Sequence, residues 1–80
     1  MFSSEKLSEK DLLIMEIEEA DRIINTLKDR LRNLLKDLQE NPGNKEYIED
    51  KYTVCKIKLI YEEQRYYRLL DDLRDYITRE

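Results

Sequence analysis

Apolar side chains recur along residues 13–38 at a fixed beat. Leu13, Ile17, Ala20, Ile24, Leu27, Leu31, Leu34 and Leu38 follow one another in alternating steps of four and three residues. This is heptad spacing, which keeps one side of a helix turned toward a second helix along its whole length. A second run, Ile48, Tyr52, Cys55, Leu59, Glu62, Tyr66, Leu69, Leu73 and Tyr76, keeps the same alternation with Glu62 as its one charged member. Between them lies Asn41-Pro42-Gly43-Asn44. Proline disfavours helical geometry at the residue before it and has no N–H for the helix behind it. The pattern predicts one domain over residues 1–80: a helix over about 8–40, a turn over 41–44 and a helix over about 45–78. Pro-Gly suits the centre of a type II turn, and Asn44 suits the cap of the second helix. At the start, Ser4 and Ser8 both suit an N-cap. Ser8 with Asp11 resembles a capping box, whereas a start at Ser4 would bring Leu7 into the helix.

The turn and the two runs agree with one another. In an antiparallel pair folded about Gly43, facing residues have numbers that sum to 86. Leu38 then meets Ile48, Leu34 meets Tyr52, Leu31 meets Cys55 and Leu27 meets Leu59. The series continues with Ile24 and Glu62, Ala20 and Tyr66, Ile17 and Leu69, and Leu13 and Leu73. The fold class expected is therefore all-α: a two-helix antiparallel coiled-coil hairpin.

Apolar residues remain that these seams do not use. Leu7, Ile14, Leu70 and Ile77 fall on one flank near the open end, where Leu12 and Met15 widen the first helix. On the second helix Tyr47, Val54, Ile57 and Tyr61 fall on the side away from the first, with Ile60 and Tyr67 nearby. Aligned apolar side chains outside a core mark an interface. Flanking charges match across the hairpin for Asp37 with Lys51 and Glu9 with Arg79. They are alike for Glu16 with Asp72, Asp21 with Glu63 and Lys28 with Lys56. Mismatched flanks fit a second chain, and 80 residues bury only a thin core alone. The expectation is a homodimeric four-helix bundle, or a larger helical assembly. Its self-association surface takes in Leu7, Leu12, Ile14, Met15, Val54, Ile57, Tyr61, Leu70 and Ile77.

Charge narrows the partners. The net charge is −4, a poor match to nucleic acid or an anionic membrane. It is unevenly spread. Residues 27–58 carry eight basic and six acidic side chains, a balance of +2, while the remainder carries seven and thirteen, a balance of −6. Lys28, Arg32, Lys36, Lys56 and Lys58 form the candidate nucleic-acid patch in the turn half. The hairpin resembles in architecture the dimeric bundles of the Rop type, which bind RNA along a helix face; no motif accompanies that likeness. No apolar run approaches the ~20 residues that span a bilayer, and Met1–Lys6 lacks the apolar core of a secretory signal. One cysteine makes no internal disulfide, so a reducing, cytoplasmic setting is expected. Abundant Glu, Lys, Arg and Ile with few Gln lean toward a thermophile.

Candidate chemistry is sparse. There is no histidine, which removes the commonest general base and the Glu-x-x-His pairs of di-iron bundles. Glu16 and Glu19 share a face and offer carboxylates for Mg²⁺. The first half of the paired motif of MazG-like nucleotide hydrolases is thus present, but no properly spaced Glu-x-x-Asp follows. A solvated acidic face is the plainer reading. Glu62 in the seam suits register setting, or a stem over the core with its head bent to solvent, with Arg65 and Arg22 as candidate partners. Cys55 on the seam suits a small hydrophobe. The tyrosines suit half-buried interfaces better than a stacking platform for bases. No catalytic, metal or cofactor residue is assigned, and no enzyme is expected. The first expectation is a structural or protein-interaction hairpin that self-associates. The second is a small nucleic-acid-binding regulator, and the third a carboxylate-metal enzyme at Glu16 and Glu19.

Overall fold

The computed structural model describes residues 8–79. Helix α1 spans Glu9–Glu40 and helix α2 spans Lys45–Arg79, antiparallel and packed against each other. The hairpin is a slender plank, with Cα extents of 58 × 30 × 14 Å. Leu7 and Ser4 lie outside the described residues.

Ser8 starts α1. Its backbone is extended (φ −73°, ψ 163°), and its side chain accepts from the Asp11 N–H at 3.1 Å. One of the free donors of the first turn is thereby satisfied, and Glu9 and Asp11 place negative charge where the helix dipole favours it. At the far end the last turn of α1 holds no basic residue; the Asn41 N–H donates to the Asp37 carbonyl at 2.7 Å instead. The basic residues of the second half of α1 therefore stop short of the position where the dipole would reward them.

The turn corrects one expectation. Pro42–Asn44 forms a single 3-10 turn, not a type II turn. A type II turn needs positive φ at its third residue, and Gly43 has none. The chain bends at Asn41 (φ −129°, ψ 70°), where the following proline disfavours helix. The Asn44 N–H bonds to the Asn41 carbonyl at 3.1 Å, and the Lys45 N–H donates to the Pro42 carbonyl. Asn44 thus sits inside a turn that runs straight into α2, with no separate N-cap.

The seams pack as the spacing requires. Every seam residue named above is buried or half-buried. Ile24, Leu27, Cys55 and Leu59 form the central cluster, with Leu31, Leu34, Tyr66 and the off-seam Ile23 packed on it. Ala20 is wholly enclosed. Ile48 and Leu69 are buried toward the two ends. Each buried aliphatic side chain contributes roughly 1.5–3 kcal/mol of transfer free energy.

Candidate functional site

The side chains left outside the seam divide between two places. Near the open end, Leu12, Ile14, Met15, Leu70 and Ile77 are exposed. Along α2, Tyr47, Val54, Ile57, Ile60, Tyr61 and Tyr67 are exposed, with Tyr61 at 72% and Ile57 at 61%. At 3.6 residues per turn, the row through Tyr47, Val54, Ile57 and Tyr61 lies roughly 160° round α2 from its seam. It therefore points mostly away from α1, with Tyr47 and Val54 turned toward one edge of the hairpin. Sequence reasoning found these residues as remainders of the heptad. It missed Leu35, an exposed leucine on α1 (44%), and Ile23, which folds over the core edge. Both sit beside a seam residue of the same character, Leu34 and Ile24, and that adjacency was the available signal.

One edge of the hairpin carries an open cleft of about 570 Å³ in the turn half. Leu34, Val54 and Cys55 supply apolar lining, with Tyr47 beside them. Arg30, Lys51 and Lys58 add positive charge, against Asp50 alone. Of the candidate nucleic-acid residues the cleft gathers Lys58 only. Arg32 is paired with Asp29 at 2.6 Å, and the Lys56 ammonium lies over the Tyr52 ring, 5.9 Å from its centre. Lys28, at a position that flanks the opposite edge, and Lys36, on the outer face of α1, do not line the cleft. Arg30 and Lys51 were not among the residues singled out for nucleic acid.

Ion pairing across the hairpin centres on Arg65. Its guanidinium bonds to the Glu62 carboxylate one turn before it and reaches Glu19 of α1 at 3.8 Å. Glu62 is only 16% exposed. Its head is held beneath Arg65 rather than turned freely to solvent, and Arg22 is not its partner. The hydrogen bond to Glu62 raises the Arg65 pKa above its ordinary value; partial burial opposes this, and the charges of Glu62, Glu19 and Glu16 add to it. A guanidinium already charged at every physiological pH is thereby held more firmly charged. Neither Asp37 with Lys51 nor Glu9 with Arg79 closes to an ion pair; Lys51 instead lies over the Tyr47 ring at 5.1 Å.

Cys55 is buried, and its thiol points at the Leu27 carbonyl rather than at a base. Glu19 spends its carboxylate on Arg65. Among the described residues, no three His, Cys, Asp or Glu side chains come together as a metal-ligand set. No described helix is long and apolar enough to cross a membrane. Compared with known protein families, with curated proteins and with solved structures, the chain gives no match.

Proposed function

We propose that this chain is a structural and protein-interaction module that works by self-association. The hairpin pairs with a second copy to make a four-helix assembly and presents its remaining apolar surface to another protein. The observation that supports this most is the exposed row on α2, with Val54, Ile57 and Tyr61 each more than half open to solvent. Large apolar side chains aligned on one helix face lose free energy by staying wet, and a partner helix relieves that. The thinness of the plank supports the same reading, because two helices share a single seam. The setting proposed is the cytoplasm. Sedimentation equilibrium at micromolar concentration tests the reading: a dimer or higher species is expected, and a monomer at every concentration overturns it.

A second reading draws on the cleft. Arg30, Lys51 and Lys58 around an apolar lining with Tyr47 suit an anionic ligand, and a nucleic acid is one such partner. The chain would then be a small nucleic-acid-binding regulator. A salt-sensitive mobility shift of RNA or DNA by the purified protein would favour this reading, and no retention at low salt would retire it.

A further inference from the structure

We infer that the outer face of α2 is a two-fold interface on which α2 of a second copy lies antiparallel. This rests on the self-association proposed above and specifies its geometry. Tyr47, Val54, Ile57 and Tyr61 belong to a second row in steps of three and four, in which Asp50 fills the one gap. Gln64 and Arg68 continue it. A helix that pairs with its own copy about a two-fold axis must match its own reversed sequence. A helix from an unrelated protein sets no such condition.

Between Asp50 and Arg68 the row meets that condition in one register; Tyr47, beyond that span, comes opposite the partner's Asp71. With the axis beside Leu59, facing residues have numbers that sum to 118. Ile57 then packs on the partner's Tyr61, and Val54 on the partner's Gln64, each twice by symmetry. Asp50 faces the partner's Arg68, also twice. Both are exposed, and among the described residues neither has an ion-pair partner in its own chain. Along one edge Glu46 comes opposite the partner's Arg74. Along the other, Lys51 faces the partner's Arg65, and Lys58 faces its own copy. That second edge stays basic and hydrated beside the cleft.

Sliding by one heptad in either direction breaks the Asp50–Arg68 pairing. In one direction Val54 still meets Ile57, but Asp50 meets Tyr61, and Arg68 runs past the end of the partner helix to Gly43, so the ion pair is lost. In the other, Asp50 meets Asp75, and Val54 meets Asp71. Aspartate against aspartate within the row, and Val54 against a carboxylate nearer its centre, disfavour that register. The Asp50–Arg68 pairing therefore favours the register in which Ile57 and Tyr61 meet at the centre, while the like charges of Lys51, Lys58 and Arg65 along the second edge oppose it. The order across the assembly becomes α1, α2, α2, α1. The open-end residues Leu12, Met15 and Ile77 remain outside it.

Charge reversal reads this pairing directly. Asp50→Arg puts arginine against arginine twice, and Arg68→Asp puts aspartate against aspartate twice. Each alone is expected to weaken the dimer about tenfold, while circular dichroism shows the helical content of the hairpin retained. An equimolar mixture of the two variants restores association, because each chain then supplies what the other lacks. The double variant Asp50→Arg, Arg68→Asp also restores it. Sedimentation of the wild-type protein accompanies these measurements. A wild-type monomer overturns the self-association reading itself. A wild-type dimer indifferent to both reversals, or one whose loss neither mixing nor the double variant repairs, overturns this interface and leaves self-association standing.

Discussion

The thiol of Cys55 on α2 donates to the carbonyl oxygen of Leu27 on α1, with 3.6 Å between sulfur and oxygen. The contact joins residues 28 apart in sequence, and it fixes how the helices mesh. Cys55 faces Leu31 in the heptad register yet touches Leu27 one turn away. A side chain seated between two residues of the facing helix is the knob-into-hole geometry of a coiled coil. The small side chain thereby reaches the α1 backbone within the central cluster.

Leu27 should therefore be among the costliest residues to truncate. Leu27→Ala removes a side chain only 7% exposed, from a core too thin to repack around the loss. A destabilisation of about 2–4 kcal/mol is expected in urea unfolding. Leu35→Ala, at 44% exposure, serves as the control and should change stability by about 0.5 kcal/mol or less. Equal effects at the two positions would contradict the packing described.

Glu62 and Arg65 give a second contrast. Arg65→Ala leaves a mostly buried carboxylate without its hydrogen-bond donor and is expected to cost about 1–3 kcal/mol. Glu62→Leu completes the apolar seam and leaves Arg65 with Glu19, so it should be neutral or stabilising. Thermal unfolding of the two variants measures both. A large loss in Glu62→Leu would mean that the carboxylate, rather than the seam geometry, holds the helices in register.

The turn carries its own test. Gly43 has negative φ, and a Cβ built on it meets nothing within 4 Å. Gly43→Ala restricts the unfolded chain without straining the folded one and is expected to stabilise by about 0.4–1 kcal/mol. In a type II turn the same substitution would be destabilising. Denaturant unfolding of this one variant distinguishes the two geometries.

Composition points to high thermal stability. Beside the many Glu, Lys and Arg residues, three arginines close i,i+3 pairs: Asp29–Arg32, Glu62–Arg65 and Asp71–Arg74. Such pairs lose less by desolvation as temperature rises. A thermal midpoint above about 65 °C is expected, and one inside the ordinary mesophile range would contradict the thermophilic reading.

The hairpin was legible in the sequence because heptad phase is a long-range signal. Leu13 through Leu38 and Ile48 through Tyr76 each kept step over many turns, and the Pro-Gly break fixed how they meet. The turn type was less legible: Pro-Gly fits both a type II and a 3-10 path, and only the hydrogen bonds from Asn44 and Lys45 decide between them. Ion pairs were less legible still. Long flexible side chains choose among several neighbours at little cost: Arg65 pairs with Glu62 as the sequence suggested, but it also reaches Glu19, and Lys51 lies over Tyr47 rather than against Asp37. The exposed residues showed in the sequence only as what the seams left over. Periodicity says which face a residue takes, and a partner's identity is written in the partner as well.

Sedimentation equilibrium of the unmodified chain, over a concentration range from low to high micromolar, tests the central claim most directly. The account expects a mass that rises to twice 9.8 kDa as concentration increases. A single species of 9.8 kDa across the whole range would contradict it.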